Sequence, residues 1–368
     1  QERRRALQGV DCVINAIQVG GYRPSTVIDF EIPKRYGLRQ TIGDTMGIGG
    51  IFRGIRTLQV MFDIVREMEE ECPGALLLNY ANPMSIVTGG IIEVSSIRTL
   101  GLCHSVQICV PRLLGYLDME IDPEETRWEI AGINHMAWLL TITHNGEDLY
   151  PEIKRRARER MDHIDALRFE IMNRFGYYVT ESPEHNAEYS PFWIKRNYPE
   201  LIYRYSIPLD EYPRRCEKQI REWEEMRRTV TAGEAPLEHT RSYEYGAAIV
   251  AALAGGPVAR VHANLRNDGL IPNLPADAIV EVPALSDTNG VAGTRCAPLP
   301  TAPAALNSAA IAVHRLTIEA AVTGKRETLY QAALMDPHTA AELSIDEIVA
   351  MCDEMLEAHG SYCAIINR

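Results

Sequence analysis

The sequence predicts an α/β protein whose first part is a parallel, doubly wound sheet. Short apolar, β-branched segments alternate with longer segments that carry apolar residues at helical spacing. Polar and glycine-rich residues follow each predicted strand directly. Such alternation is typical of parallel sheets covered by helices, and ligands of these sheets lie at the carboxyl ends of the strands.

The elements of this first part alternate strictly. The opening residues 1–9 have the character of the end of a helix, and the first strand is followed by a loop. In chain order, the predicted elements are a strand at 11–17, a helix at 51–71, a strand at 75–80, a helix at 84–94 and a strand at 97–102. The order is therefore β-α-β-α-β.

The pattern changes near Trp128, where two strands around Gly132 to His135 are predicted, followed by a charged helical region to Phe175. A polar, aromatic loop at 176–193 and a solvated helix at 210–230 come next. The remainder alternates strands at 257–265 and 278–285 with helices to about His359. A chain of this length usually divides, so we expect two closely joined domains, 1–127 and 128–368.

Composition excludes several function classes. A formal net charge of −13 over 368 residues, with basic residues scattered among acidic ones, argues against nucleic-acid partners and a polybasic membrane anchor. The apolar runs are far shorter than the ~20 residues that a membrane-spanning helix needs. Eight cysteines at irregular spacing do not resemble a secreted disulfide framework, so we expect a cytoplasmic protein.

The predicted strands place three polar segments at one edge of the sheet. These segments are QVGGYRP (18–24), ANPM (81–84) and CHSVQ (103–107). The G-x-G-x-x-G turn that holds a dinucleotide pyrophosphate is missing from the sequence, and GIGG (47–50) is interpreted as a flexible turn and helix start.

A thiol and an imidazole form a candidate metal-binding pair at this edge. Cys103 and His135 each follow a predicted strand, and thiolate and imidazole are credible metal ligands. The alternative is a small buried cysteine and a hydrogen-bonded core histidine. His104 could be a solvent-facing residue at a helix start, and Asn82 could present its amide to a ligand.

Two further segments contain candidate polar groups. Glu181, His185, Glu188 and Tyr189 form a dense titratable cluster in a loop, where catalytic groups are common but exposed polar residues are commoner. NLRNDGLIPNLP (264–275) could bind hydroxyl groups or form a tight connection.

As an ordered set, these motifs resemble the NAD- and divalent-metal-dependent glycoside hydrolases of family 4. The resemblance runs nearly end to end through the following segments: QVGGYRPSTVIDFEIPKRYGLRQTIGDT, NYANPM, GLCHSVQ, AGINHMAW, TESPEHNAEYSPFWIK, PLDEYPRRC, RNDGLIPNLP and MDPHTAAELSIDEI. It implies a Rossmann-like domain joined to an α+β C-terminal domain, as in lactate and malate dehydrogenases. It also implies a homo-oligomer, and an upstream segment that carries the first strand and the pyrophosphate turn.

The resemblance assigns roles to individual residues. Cys103 and His135 correspond to the family's metal ligands, the metal being divalent and expected to be manganese. His104 corresponds to the position that protonates the leaving oxygen, and Tyr189 is the best match to the base, with Glu181 and His185 as alternatives. The resemblance places the remaining sites as follows: sugar hydroxyls at Asn82, Asn134, Arg241 and Asn267, and NAD at Ile17 and Asn82.

The implied reaction is redox-assisted hydrolysis of a terminal α-galactoside. NAD takes a hydride from C3, a base removes the C2 proton, and the C1–O bond breaks by elimination. CHS at 103–105 resembles members that act on unphosphorylated sugars. The alternatives are an α-glucosidase or a uronidase of the same family, an NAD-dependent 2-hydroxy acid dehydrogenase, and an inactive sugar-binding fragment.

Overall fold

The structure is a computed structural model that describes residues 2–122, 125–160, 162–234, 236, 240 and 242–366. Within these residues, ten strands form one mixed sheet. The strands are β1 Cys12–Asn15, β2 Leu76–Asn79, β3 Arg98–Gly101, β4 Thr126–Ile133, β5 Met136–His144, β6 Glu147–Asp148, β7 Tyr178–Val179, β8 Ala259–Arg266, β9 Ile279–Asp287 and β10 Gly290–Gly293. Their order across the sheet is β1-β2-β3-β8-β9-β4-β5-β6, with β10 paired to β9 and β7 paired to β5.

Helices cover this sheet and form a further layer. They are α1 Arg3–Leu7, α2 Val27–Arg35, α3 Gly47–Glu71, α4 Met84–Val94, α5 Ser105–Tyr116, α6 Tyr150–Arg158, α7 Ala166–Phe175, α8 Pro183–Glu188, α9 Glu200–Arg204, α10 Glu211–Thr231, α11 Gly246–Leu253, α12 Thr301–Thr323, α13 Arg326–Met335, α14 Pro337–Glu342 and α15 Ile345–His359. The long helix α12 packs against α3 and α4. One large apolar core joins these helices to the sheet.

The parallel part of the sheet confirms the predicted fold class. Strand β1 pairs in parallel with β2, and β2 pairs in parallel with β3, so their carboxyl ends meet at one edge. Two buried asparagines connect the first two strands there, since the Asn15 side-chain amide donates to Asn79 Oδ1 at 2.7 Å. This edge therefore presents polar groups on a rigid frame.

The antiparallel part of the sheet continues from the parallel part without a break. Strand β8 runs antiparallel to β3 and meets it at the pair Gly101 and Asn264. A Cβ at Gly101 would lie 2.8 Å from Asn264 Cβ, so glycine permits this close junction. Strands before and after residue 127 thus share one sheet, and the predicted division into 1–127 and 128–368 is not a division between sheets.

Three segments differ from the sequence-based prediction. The residues after β1 are not a plain loop, because an irregular helical turn at Gly21–Thr26 leads into helix α2. Gly47–Gly50 is a helix start, as predicted, but it forms the buried first turn of α3 and not a flexible turn. The loop at 176–193 contains β7 and α8. In each case, burial against neighbouring elements stabilises structure that local propensity alone does not indicate.

No helix in the described part of the chain is both long and apolar enough to cross a membrane.

Candidate active site

Cys103 lies in the short connection between β3 and α5, at the edge where the parallel strands end. Its side chain is largely buried, and its Sγ is 3.4 Å from Ser105 Oγ. The Tyr245 hydroxyl contacts both the backbone nitrogen and the carbonyl of Cys103, at 3.2 and 3.1 Å. Burial, together with the nearby carboxylates of Glu281 and Glu181, holds the pKa of the thiol far above its usual range.

His135 reaches Cys103 from the antiparallel part of the sheet. It is the second residue of the two-residue turn between β4 and β5, and it has a positive φ of 63°. The close packing of this hairpin requires Gly132, where a Cβ would lie 2.6 Å from Ala137 Cα. The resulting geometry places His135 Nε2 3.4 Å from Cys103 Sγ. The predicted pair is therefore brought together.

Glu181 adds a third group that could bind a metal. Its Oε2 lies 3.6 Å from His135 Nε2, and the potential ligand atoms of Cys103, His135 and Glu181 all lie within 4.8 Å of one another. Burial would raise the pKa of Glu181, but its electrostatic interactions with His135 and His185 outweigh the burial and lower the pKa. Thiolate, imidazole and carboxylate suit a divalent transition metal, so these residues fit the expected ion.

The other nitrogen of His135 has two hydroxyl partners. Nδ1 lies 3.1 Å from the Tyr189 hydroxyl and 3.3 Å from Thr45 Oγ1. Contacts to the second ring nitrogen orient a ligating imidazole. Tyr189 is 3 % exposed, and burial together with the charges of Asp44, Glu181 and Glu188 raises the pKa of its phenol well above the usual value.

Asp44 brings a second buried carboxylate to the site. Its Oδ2 accepts from the Asn82 side-chain amide at 3.3 Å, and its Oδ1 lies 3.6 Å from His185 Nε2 and accepts from Thr45 Oγ1 at 2.8 Å. Burial opposes ionisation, but the hydrogen bond with His185 and nearby positive charges hold the pKa of Asp44 far below its usual range. Asp44 is therefore a fixed negative charge beside Asn82.

Glu188 holds the loop that carries Asp44 and Thr45. Its buried carboxylate accepts from the backbone amides of three consecutive residues, Thr41, Ile42 and Gly43, at 2.6, 3.0 and 3.1 Å. Burial raises the pKa of Glu188 to about 7 despite these hydrogen bonds. Its position next to Tyr189 connects α8 to this loop.

His104 occupies the mouth of the site. It is the residue before α5, about half exposed, and its Nδ1 lies 2.7 Å from Glu244 Oε1. This contact leaves Nε2 as the nitrogen that could transfer a proton to a substrate oxygen. The position of His104 is compatible with protonation of the leaving oxygen, and this role stays a prediction.

A group of buried amides lies next to the metal-binding cluster. Asn134 and Asn264 both donate to Glu281 Oε1, at 3.4 and 3.2 Å. Their own side-chain oxygens, and Glu281 Oε2, are buried and lack a partner in the described part of the chain. Burial raises the pKa of Glu281 to about 7. Asn82 Oδ1 is likewise buried without a partner among the described residues.

Asn267, predicted to bind a sugar hydroxyl, bonds to the backbone of its own loop in the structure. Its amide nitrogen donates to the carbonyls of Ile271, Leu274 and Pro275, and its oxygen accepts from the Ile271 amide at 2.7 Å. The side chain is fully buried within its own loop. The side-chain amide is thus engaged within a tight connection, which is the alternative that the sequence left open for this segment, and the sugar contact of Asn267 stays a prediction.

Two other predicted residues complete the set. Arg241, predicted to bind sugar, lies outside the described residues. Ile17, predicted to contact NAD, follows the carboxyl end of β1, and its backbone nitrogen donates to Asn15 Oδ1 at 3.4 Å. Its location fits the expected edge of the sheet.

Sequence reasoning missed Asp44, Glu281 and the ligand position of Glu181. Asp44 lies inside the segment QTIGDT. A carboxylate next to a glycine in a polar segment could have indicated a site residue. Glu281 stands in a buried strand, EVPAL, where an isolated carboxylate is unusual and could have been noticed. Glu181 was identified as part of a titratable cluster, but its contact with His135 depends on the fold.

These features define a class of protein, namely an enzyme with a candidate metal-binding cluster at the carboxyl edge of a dinucleotide-binding type of sheet. Models of the "Family 4 glycosyl hydrolase" and of its "C-terminal domain" match residues 1–119 and 130–339. The chain belongs to glycosyl hydrolase family 4, so it is a glycoside hydrolase.

Individual relatives agree with this membership. An α-galactosidase of Bacillus subtilis is 57 % identical over 363 residues, which cover 98 % of this chain and 83 % of that protein. Among solved structures, a putative glucosidase, lplD, from Bacillus subtilis superposes with a TM-score of 0.87 at 26 % identity over 96 % of this chain and 85 % of that one. A 6-phospho-α-glucosidase from gut microorganisms, described in complex with NAD and Mn²⁺, has a TM-score of 0.80 at 21 % identity over 98 % of this chain and 83 % of that one, and shows the shared fold.

Proposed function

We propose that this glycoside hydrolase cleaves terminal α-galactosides. The observation that carries the proposal is the cluster of Cys103, His135 and Glu181, formed in a chain that is 57 % identical to an α-galactosidase. The segment CHS at 103–105 adds support, because it resembles family members that act on unphosphorylated sugars.

The cofactors that fit this function are a divalent metal, proposed to be manganese, and NAD. Cys103, His135 and Glu181 would hold the metal, and the edge beyond β1 and β2, with Ile17 and Asn82, would face NAD. When bound, NAD accepts and returns a hydride at C3, and the metal stabilises negative charge on the sugar oxygens. A 6-phospho-α-glucosidase of the same fold, crystallised with NAD and Mn²⁺, supports this pair.

The chain's own residues would move the protons. Tyr189 is placed to remove the C2 proton, because its hydroxyl is hydrogen-bonded to His135 Nδ1, on the ring whose other nitrogen faces the thiol. The high pKa of this phenol in the absence of a cation means that a bound divalent ion must favour its ionised form. His104, at the mouth of the site, would protonate the leaving oxygen through Nε2.

The geometry narrows the choice of base. Glu181 faces His135 Nε2, the same nitrogen that faces Cys103, so it is better placed as a ligand than as a base. His185 is engaged by Ser182 Oγ at 2.9 Å and lies close to Asp44. Tyr189 therefore remains the proposed base. Asn82, beside Asp44, and Asn134 are proposed to bind sugar hydroxyls, because each has a side-chain oxygen that other described residues leave free.

Substrate specificity is tested with matched aryl α-glycosides that differ only in the sugar. We expect turnover of the galactoside to exceed that of the glucoside and the galacturonide in the presence of Mn²⁺ and NAD⁺. A preference for the glucoside or galacturonide would reassign the substrate within the family. Reduction or oxidation of 2-hydroxy acids without glycoside cleavage would contradict the hydrolase function itself.

The base is tested by isotope exchange. During turnover in heavy water, the released galactose should carry deuterium at C2, because the abstracted proton exchanges with solvent. Tyr189→Phe should slow both exchange and turnover, whereas Tyr205→Phe, at a buried tyrosine packed against Trp193, should slow neither. Equal rates of C2 exchange in Tyr189→Phe and the parent protein would show that Tyr189 is not the base that removes the C2 proton.

We also propose a cytoplasmic location and self-association. The eight cysteines are all unpaired in the structure, as is usual for a reducing compartment. Self-association is implied by the resemblance to the family.

A further inference from the structure

Glu281 is an acidic residue in the interior of the sheet. It lies in β9, and its side chain is fully buried. Within the part of the chain that the structure describes, its hydrogen-bond donors are the neutral amides of Asn134 and Asn264, and its Oε2 has no partner. The side-chain oxygens of both asparagines are also buried without a partner there. A buried carboxylate that is paired only with neutral groups costs free energy, and each unpaired oxygen adds to the cost.

Two other buried carboxylates of this protein each pair with a buried cation. Asp29 pairs with the guanidinium of Arg56 at 2.6 Å, and Asp165 pairs with that of Arg168 at 2.5 Å. Such a partner offsets the loss of hydration, which neutral amides do less well. The contrast indicates that the stability of the fold alone does not account for the carboxylate of Glu281.

The strand register places Glu281 between the two segments that carry the candidate metal ligands. Glu281 lies opposite Asn264 of β8 on one side and opposite Gly132 of β4 on the other. Strand β8 in turn pairs with β3 through Asn264. Cys103 follows β3, and His135 follows β4. One row across the sheet therefore runs from the strand before Cys103 to the strand before His135, with Glu281 inside it.

The charge of Glu281 acts on all three candidate ligands. Burial raises the pKa of Glu281 to about 7, interactions with His135 lower it, and the carboxylate of Glu181 raises it. In turn, burial and then the charge of Glu281 raise the pKa of the Cys103 thiol. A thiolate and two carboxylates in one buried region repel one another, and a divalent cation among them converts that repulsion into attraction.

We propose that Glu281, without being a ligand itself, increases the affinity of the Cys103, His135 and Glu181 cluster for its divalent cation and lowers the stability of the metal-free protein. The cation supplies the positive charge that the fold does not give to this carboxylate. Residues behind the ligands commonly change metal affinity by about 10- to 100-fold. The inference rests on the proposed metal site and adds to it a residue that the metal does not touch.

The test is Glu281→Gln in the full chain, with two measurements that need no turnover. Glutamine has the same size, its oxygen still accepts, and its amide nitrogen can donate to the unpaired oxygens of Asn134 and Asn264. We expect the Kd for Mn²⁺, from electron paramagnetic resonance of free Mn²⁺ without NAD or sugar, to rise about tenfold. The melting temperature of the chelator-treated, metal-free variant should rise by about 2 °C, because a buried charge has been removed.

The matched control is Glu342→Gln, at a carboxylate that is 7 % exposed and pairs with Lys195 at 2.6 Å. This substitution should lower the melting temperature and leave the Mn²⁺ affinity unchanged. Parental Mn²⁺ affinity in Glu281→Gln, or a lower melting temperature of its metal-free form, would overturn the proposal.

Cys103→Ser, measured in the same way, separates this inference from the metal site on which it rests. If Cys103→Ser loses Mn²⁺ binding while Glu281→Gln keeps it, the role of Glu281 is wrong and the metal site stands. If Cys103→Ser binds Mn²⁺ as the parent chain does, the metal site is wrong and the inference fails with it.

Discussion

Asparagine side chains behave differently in two regions of this protein. At the carboxyl edge of the sheet, Asn82 and Asn134 each donate to a carboxylate and keep a buried side-chain oxygen without a partner among the described residues. In the connection after β8, Asn267 satisfies both ends of its amide within its own loop, with four hydrogen bonds to backbone groups.

The difference identifies which polar residues are available to a ligand. A buried polar atom without a partner costs free energy, so its presence suggests that a substrate, ion or water completes it. A satisfied amide contributes to folding and has little left to offer a ligand. Residues of the same type thus divide into site and scaffold by their hydrogen bonds.

The largest expected effect concerns the cluster at the edge of the sheet. Cys103→Ser should lower metal-dependent turnover by about 1000-fold, or about 4 kcal/mol, because a serine hydroxyl does not replace a thiolate ligand. The check is turnover against Mn²⁺ concentration. Cys109→Ser, at a buried cysteine on helix α5, which follows Cys103, should lower stability and leave metal dependence unchanged. Normal metal affinity in Cys103→Ser would show that the thiol is not a ligand.

The scaffold side of the comparison is tested at Asn267. Asn267→Ala should lower the free energy of unfolding by about 3 kcal/mol, because it leaves several buried backbone groups unpaired. Denaturant titration measures this change. Turnover of the folded fraction should stay close to that of the parent chain. A selective rise in KM at unchanged stability would return Asn267 to the sugar site.

A third substitution tests whether Glu188 positions the loop that carries Asp44 and Thr45. Glu188→Ala should lower turnover by about 10- to 100-fold, because the backbone amides of Thr41, Ile42 and Gly43 lose the acceptor that holds Asp44 and Thr45 in place. Glu184→Ala, on the same helix, removes an ion pair with Arg215 nearer the surface and is the matched control.

The positioning role has its own signature in a double-mutant cycle. If Glu188 acts through Asp44, the effects of Glu188→Ala and Asp44→Asn on turnover should be far from additive. Strict additivity would show that Glu188 stabilises the fold without orienting Asp44.

The smallest expected effect is at Asn82. Asn82→Ala should weaken sugar binding by about tenfold, the size expected for one lost hydrogen bond to a substrate, with little change in stability because its oxygen is not paired in the folded chain. Substrate titration and thermal unfolding measure the two quantities. A large loss of stability without a change in KM would show that Asn82 stabilises the fold and does not bind the sugar.

Local patterns predicted the parallel part of the protein well. Apart from α2, which was predicted as a loop, the strands and helices from Cys12 to Gly101 alternate as expected, because buried strands and amphipathic helices leave distinct periodicities in the sequence. The same reasoning placed Cys103 at the end of a strand, and the ordered motifs identified the family before the fold was known. Helix α8 was missed, because its six residues carry no clear period.

The sequence by itself determined the class of fold, the family and the chemical types at the edge of the sheet, because these depend on residue order and periodicity along the chain. Only the tertiary structure decided which of those groups meet. Glu181 joins Cys103 and His135 because two turns with positive φ, at Glu181 and His135, direct distant segments to one point. Asn267 and Asn82 are the same residue type and differ in their neighbours and in their burial. Hydrogen bonds between residues far apart in sequence leave no periodic trace, so the assignment of partners required the folded chain.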